Sequence, residues 1–241
     1  MLLHPLGVDH SVWSPVQTRL ERFTLLGYDL PGHGRTAVPA SRYTVDDLAE
    51  QLAGLLDEQA VGAAHVVGVS LGGLVAQALA ARRPDLVDHL VVVDAVDVYP
   101  PPMRSMWQDR AALVRAEGTA PVVEPTLELW FSAEAREAGA QVVDTVRGLL
   151  LATDPEGYAR ACEALQTADT SELLASIRAT TLVVCGEYDA PAFTAAAPRL
   201  ADTVPNARLV WLPGARHAGA LEQPEAFAGL LADFLSGAVP D

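Results

Sequence analysis

Short apolar runs and amphipathic stretches alternate along most of this chain. Each apolar run has the length of one β-strand, whereas the amphipathic stretches repeat with the period of an α-helix. This alternation predicts an α/β fold in which helices flank a mostly parallel sheet. The predicted strands are residues 1–3, 23–26, 65–68, 90–93, 181–185 and 208–212, and the predicted helices are 12–19, 45–59, 71–81, 192–202 and 225–235.

One long region interrupts the alternation. It opens with three consecutive prolines at 100–102, and no strand pattern follows until about residue 178. The stretches MWQDRAALVRAEG, PTLELWFSAEAREAG, AQVVDTVRGLLLA and GYARACEALQ have helical patterns instead. We therefore predict a core in two parts, residues 1–98 and 179–241, with a helical cap inserted at 99–178.

Composition narrows the range of partners and chemistries. The formal net charge is -15 at pH 7, which argues against nucleic acid because its phosphates would be repelled. All 16 basic residues are arginine, so chemistry that needs a lysine, such as a Schiff base or a P-loop, is excluded. The N-terminus MLLHPLGVDH does not resemble a signal peptide, and no apolar window is long enough to span a bilayer. We expect a cytoplasmic protein without a membrane partner.

The stretch GVSLGG, residues 68–73, joins a predicted strand to a predicted helix. Ser70 has Gly68 two positions before it and Gly72 two positions after it, and the pattern G-x-S-x-G in this context is typical of a nucleophile elbow. A plain glycine turn is the alternative, and the spacing does not fit the G-x-G-x-x-G of a dinucleotide loop.

A nucleophilic serine needs a base and a group that orients the base. His217 follows the last predicted strand, where loops lie over the carboxyl ends of the strands, as Ser70 does. Asp189 follows the strand at 181–185 and gives the chain order Ser, Asp, His; Asp94 is the competing acid. Backbone N–H groups of Leu6 and Leu71 are the predicted oxyanion-hole donors.

The segments HPLG, DLPGHGRT, GVSLGG, GEYDAP and GARHAGALEQPEAF together resemble the α/β-hydrolase family. The cap segments LELWFSAEARE and LLATDPEGYARACEAL are similar to those of the 3-oxoadipate enol-lactonases of aromatic catabolism. This resemblance implies an acyl-enzyme mechanism in which Ser70, His217 and Asp189 are the catalytic residues. It also implies that the substrate is a small lactone.

The lactone of that family carries a carboxylate, so the resemblance implies an arginine in the cap. Arg104 is the candidate we name for the substrate site, with Arg110 and Arg160 as alternatives, and Trp107 and Trp130 are candidate pocket residues. Solvated helix faces and cap core are the competing interpretations of these five positions.

Two features depart from the family pattern. Leu129 stands where an arginine is expected before the Trp-Phe pair, and this favours a less charged substrate. Family members also carry two strands before the oxyanion strand, whereas this sequence starts in it, so N-terminal strands are expected to be missing. A misassigned start and a genuinely trimmed fold are the two explanations. A homodimer that pairs the resulting sheet edge is one arrangement open to such a fold.

Other functions remain open from the sequence. A broad carboxylesterase, a methyl esterase of secondary metabolism and a cofactor-free perhydrolase share these motifs. A hydrolase-fold protein that only binds a ligand is the alternative from another class. No cofactor is expected, and because H-E-x-x-H and C-x-x-C are absent, no metal either.

Overall fold

A six-stranded sheet forms the centre of the computed structural model, which describes residues 1–237. The strand order is β2-β1-β3-β4-β5-β6, and every neighbouring pair is parallel. The carboxyl ends of all six strands therefore lie at one edge of the sheet. The strands are β1 (Leu2–Leu3), β2 (Gly27–Tyr28), β3 (Ala64–Val69), β4 (Val87–Val93), β5 (Thr180–Gly186) and β6 (Ala207–Leu212).

Helices cover both faces of this sheet, as predicted. The helix after β3 is apolar on every side and is buried from Leu71 to Ala80, because it lies between the sheet and its neighbours. The helix before β3 begins with a capping box, in which the Thr44 side chain and Asp47 exchange hydrogen bonds. The core helices are α1 (Ser14–Gln17), α2 (Val45–Glu58), α3 (Leu71–Arg82), α9 (Pro191–Thr203), α10 (Gly219–Glu222) and α11 (Pro224–Leu235).

The cap between β4 and β5 is helical, and in the described residues its only β pairing is an isolated bridge between Val98 and Asp169. It contains α4 (Pro101–Glu117), α5 (Ala120–Trp130), α6 (Ala133–Glu137), α7 (Gln141–Ala152) and α8 (Pro155–Thr167). Its last helix meets the core so closely that a Cβ built on Gly157 would lie 2.2 Å from the carbonyl oxygen of Gly32. The division at 98/99 and 178/179 stays a prediction, and positions 238–241 of its last segment lie outside the described residues.

Two predicted elements are wrong in detail. The strand predicted at 23–26 is found at Gly27–Tyr28, although the Leu2 N–H already bonds to the Leu26 carbonyl. The helix predicted at 12–19 is a 3₁₀ turn, His10–Trp13, followed by one α-helical turn. Pro15 has no N–H to donate to a helix that continues from residue 12, and it stands instead in the first turn of the helix that begins at Ser14, where no intrahelical N–H bond is needed. Within residues 1–237, no helix combines the length and the apolar character needed to cross a bilayer.

Candidate active site

Ser70 occupies a strained turn at the carboxyl end of β3. Its φ is 53° and its ψ is -112°, a backbone conformation that residues other than glycine rarely adopt. The flanking glycines allow the turn to close: a Cβ on Gly68 would lie 2.2 Å from the Gly72 oxygen, and a Cβ on Gly72 would lie 2.5 Å from the Leu3 oxygen. Strand, turn and helix therefore hold the Ser70 hydroxyl at the edge of the sheet.

His217 and Asp189 meet in the loops that follow β6 and β5. The distance from Nδ1 of His217 to Oδ2 of Asp189 is 2.9 Å, and both side chains are buried. Burial opposes a charge on the imidazole, but the carboxylate of Asp189 outweighs burial and raises the pKa of His217 above its ordinary value. The ring is thereby fixed with Nδ1 toward the carboxylate, which leaves Nε2 as the basic nitrogen.

The predicted competitor, Asp94, lies beside this pair and not apart from it. It directly follows β4, the strand next to the one that precedes Ser70, and is 1% exposed. Its Oδ1 accepts the Gly186 N–H at 2.8 Å. Polar atoms of Asp94, Cys185 and Asp189 all lie within 4.8 Å of one another, so the site contains two neighbouring carboxyl groups.

Aromatic side chains from the cap and from core helix α9 enclose the site. The phenol of Tyr99 faces the Ser70 hydroxyl, and burial raises the pKa of that phenol. Phe193 and Trp130 have ring centroids 4.3 Å and 6.2 Å from that of His217. Ser70 is only 6% exposed, so water has little access to its side chain. Tyr99 and Phe193 were not foreseen as site residues, because nothing in the sequence around them marks them.

The structure records no hydrogen bond between Ser70 Oγ and the His217 ring. Without substrate, catalytic hydrogen bonds are often long and tighten only in the complex. The N–H groups of Leu6 and Leu71 have no acceptor among residues 1–237, and Leu71 is the first residue of α3. Free donors at a helix N-terminus suit a developing negative charge.

The cap arginines and Trp107 are engaged in contacts within the cap. Arg104 Nε donates to the Tyr99 carbonyl at 3.0 Å. Arg110 Nε donates to the Tyr158 hydroxyl at 2.9 Å, and its guanidinium lies 5.8 Å from the Trp107 ring centroid. Trp107 also packs edge-on against Tyr99, at 5.6 Å. None of these contacts assigns the side chains to a substrate.

The end of α5 is hydrogen-bonded to the loop that carries His217. Nε of Arg216 donates to the Leu129 carbonyl at 3.3 Å, and the Ala218 N–H donates to the Trp130 carbonyl at 3.0 Å. The Glu222 carboxylate accepts from the Ser132 N–H at 3.0 Å and from the Ser132 hydroxyl. The cap segment 129–132 is thus hydrogen-bonded to residues 216–222. This stretch, which we call the histidine loop, carries His217 and ends with α10.

Three side-chain clusters in the described residues have the composition of a metal site. One is the buried group Asp94, Cys185 and Asp189 within the active site itself. The other two lie elsewhere and consist of Asp9 with His10 and Asp29, and of His65 with Asp88 and His89. Within each cluster the polar side-chain atoms lie within 4.8 Å of one another. No sequence motif marks these clusters, because each one joins residues from separate segments of the chain.

Comparison with known proteins agrees with this architecture. Residues 1–230 match the sequence profile described as "Alpha/beta hydrolase family". The chain belongs to the alpha/beta hydrolase family. This confirms the fold class predicted from the sequence. The 3-oxoadipate enol-lactonase 2 of Acinetobacter baylyi is 30% identical over 92% of this chain and 82% of its own length, so the resemblance to enol-lactonases is also confirmed.

Other members of the family are about as similar. The enol-lactonase of Burkholderia xenovorans LB400 superposes with a TM-score of 0.91 and 33% identity, over 98% of this chain and 90% of its own. The pimeloyl-[acyl-carrier protein] methyl ester esterase of Nitrosomonas europaea is 31% identical over 94% of this chain and 91% of its own length. These relatives are hydrolases, and they differ in the ester that their names specify.

Proposed function

We propose that the protein is a serine hydrolase that opens a small lactone or ester through an acyl-enzyme. Ser70 is the nucleophile, His217 is the general base, and Asp189 orients the histidine. The observation that carries this proposal is that a strained, glycine-flanked serine and a buried His–Asp pair occur at the same edge of one parallel sheet.

The reaction follows from these positions. Ser70 Oγ attacks the ester carbonyl, and its proton passes to Nε2 of His217. The oxyanion accepts hydrogen bonds from the N–H groups of Leu6 and Leu71, and each such donor stabilises a transition state by about 3 kcal/mol. The C–O bond of the lactone ring then breaks, and the His217 imidazolium gives its proton to the departing oxygen of the substrate. A water molecule, deprotonated by the same nitrogen, then attacks the acyl-enzyme. The bond between the acyl carbon and Ser70 Oγ breaks, the acid leaves, and the imidazolium returns its proton to Oγ.

The substrate we favour is 3-oxoadipate enol-lactone. Two enol-lactonases are among the relatives described above, and both alignments span nearly the whole of this chain, including the cap. A closed, largely aromatic site suits a compact ring better than a long acyl chain. Leu129 in place of the expected arginine is the feature that weighs against a dicarboxylate product.

The test is steady-state hydrolysis of that lactone beside p-nitrophenyl acetate and butyrate, by the wild type and by Ser70→Ala. The lactonase proposal expects a kcat/KM for the lactone at least about a hundredfold above that for the aryl esters, abolished in the mutant. Similar values for the lactone and the aryl esters would retain the serine mechanism and reject the lactone as substrate. Activity that survives in Ser70→Ala would reject the mechanism.

A carboxylesterase of broad or methyl-ester specificity is the second candidate, and Leu129 together with the methyl ester esterase relative favours it. A perhydrolase would in addition turn over hydrogen peroxide with a carboxylic acid. A protein that only binds its ligand would react with a fluorophosphonate at Ser70 slowly or not at all. Labelling at the rate of an ordinary serine hydrolase separates this last function from the others.

A further inference from the structure

The Asp94 carboxyl group has an unsatisfied oxygen in the middle of the site. Oδ1 accepts the Gly186 N–H, but Oδ2 is buried and has no donor among the described residues. A buried carboxylate oxygen without a partner is costly, because it loses its hydration and receives nothing in return. The cost disappears if this oxygen carries a proton and becomes a donor.

The groups that face Asp94 are Asp189, Cys185 and His217. Asp189 has the better claim to a negative charge, since it accepts from the Ala190 N–H at 2.6 Å and from His217 Nδ1 at 2.9 Å. The Cys185 thiol is uncharged, because burial raises its pKa. Two carboxyl groups this close do not both ionise readily.

The electrostatics agree with the geometry. Burial, and next the charge of Asp189, raise the pKa of Asp94 well above its ordinary value. The attraction of His217 and the hydrogen bond from Gly186 act in the opposite direction and do not reverse the shift.

We propose that Asp94 is a neutral carboxylic acid whose O–H donates to Asp189 and holds that carboxylate against His217. Asp94 is thus a positioning residue, and its proton stays on it throughout the cycle while the Ser70 proton moves to His217 and back. The catalytic consequence rests on the function proposed above, whereas the protonation of Asp94 does not.

The backbone indicates which variant is informative. Asp94 has a φ of 46°, a left-handed conformation that Asp, Asn and Gly tolerate better than other residues. Asp94→Asn keeps the shape and the backbone, replaces the O–H donor by an N–H donor and cannot ionise. We therefore expect this variant to fold.

The first measurement is the free energy of unfolding against pH, for the wild type and Asp94→Asn. The unfolded chain loses the Asp94 proton near pH 3.9, about the ordinary pKa of an aspartic acid, whereas the folded protein keeps it. The folded state therefore loses stability as the pH rises toward its own, higher pKa, by up to about tenfold in the unfolding equilibrium constant per pH unit. Asp94→Asn has no such loss, so its stability relative to the wild type should rise steadily as the pH increases from about 5 toward the raised pKa of Asp94 in the folded protein.

Asp97→Asn is the matched control. Asp97 is also a buried acid, but it pairs with Arg199 through two hydrogen bonds. Removal of this paired charge should lower stability by a similar amount across the same pH range. If the free energies of unfolding of Asp94→Asn and the wild type differ by the same amount at every pH, Asp94 is ionised in the folded protein. This result would overturn the proposal.

The second measurement is the pH profile of kcat/KM. If Asp94 is neutral, Asp94→Asn removes no charge, and the acid limb set by His217 moves by less than about 0.3 pH unit; if Asp94 is charged, the limb moves down by about one unit. Asp94→Gly keeps the left-handed backbone but has no side-chain donor and leaves Asp189 with its full charge, so kcat should fall about tenfold and the limb should move up. Gly and Asn variants with equal profiles would reject a positioning role.

Two further outcomes have distinct meanings. If the pH-dependent gain in stability appears but Ser70→Ala hydrolyses substrate as the wild type does, the proposed function fails and the neutral acid stands. Dialysis against EDTA could instead abolish the pH-dependent gain in stability of Asp94→Asn over the wild type. In that case a cation bound by Asp94, Cys185 and Asp189 takes the place of the proton on Asp94, and the proposal is overturned. An unchanged gain after dialysis supports the proton.

Discussion

Backbone strain marks the site at the scale of single residues. Three residues other than glycine have positive φ in the described chain, and two of them, Ser70 and Asp94, end neighbouring strands at the candidate site. The sequence predicted Ser70 because its glycines stand beside it, and His217 and Asp189 because their order along the chain is informative. It could not predict the contact of Asp94 with Asp189, since that contact depends on how β4 and β5 pair.

Gly72→Ala tests whether the elbow needs its glycines. The added methyl group would lie 2.5 Å from the Leu3 oxygen, so β1 and α3 must move apart, and we expect a loss of about 2–4 kcal/mol in the free energy of unfolding. Activity should fall with it, because β1 leads into the loop of Leu6. Denaturant titration measures the loss.

Gly54→Ala is the control for that variant. Gly54 lies within α2, and an added Cβ would meet no atom within 4 Å. Alanine should stabilise the helix there by about 0.5–1 kcal/mol. Equal stabilities of the two alanine variants would contradict the close packing of the elbow.

The pairing of His217 with Asp189 predicts how kcat/KM depends on pH. In the proposed mechanism His217 acts as a base only when neutral, and Asp189 raises the pKa of His217 above the ordinary 6.5. We therefore expect kcat/KM to fall as the pH is lowered through a midpoint above 6.5. In Asp189→Asn the attraction is lost, so the midpoint should move down while the rate at the plateau drops by about 10⁴. A midpoint that does not move in this variant would argue against the pairing of His217 with Asp189.

At the scale of elements, periodicity identified the strands and helices well because most of them have one buried face. It failed at β2: Phe23 and Leu25 of the apolar run at 23–26 pack against the core, but the ladder forms at Gly27–Tyr28. The register of β1 sets that ladder, and no local pattern contains this information. The predicted cap helices were found, but their hydrogen bonds to the histidine loop follow from tertiary packing alone.

The unit formed by the cap segment 129–132 and the histidine loop can be tested at Glu222. Glu222→Gln weakens both hydrogen bonds from Ser132, and hydrogen bonds to a charged group contribute about 1.5–3 kcal/mol. We expect a loss of stability of about that size or less, and a fall in kcat/KM because His217 stands two residues before α10, the short helix that ends at Glu222. Thermal unfolding and steady-state kinetics measure the two effects.

Glu225→Gln is the matched control, since Glu225 is exposed and its partner is Arg19 on the core surface. Surface ion pairs contribute only about 0–1 kcal/mol, so this variant should resemble the wild type. If Glu222→Gln is as active and as stable as Glu225→Gln, the contact between cap and loop contributes nothing to the placement of His217.

The charge of the whole molecule is its most unusual property. There are 31 acidic residues against 16 arginines, and many of the arginines are already paired with carboxylates at the surface. An anionic substrate therefore approaches a negative surface, and its encounter with the site is slowed by repulsion over a distance set by the salt concentration. A neutral ester experiences no such repulsion.

Ionic strength consequently distinguishes the two substrate classes in one experiment. Between about 10 mM and about 150 mM salt, kcat/KM for the carboxylated enol-lactone should rise about two- to fivefold, and kcat/KM for p-nitrophenyl acetate should stay constant. The neutral ester serves as the control, because any effect of salt on the fold would change both. A decrease for the lactone would reveal a positive potential at the site entrance that overrides the net charge, and would direct attention to the half-buried Arg104 and Arg110 of the cap.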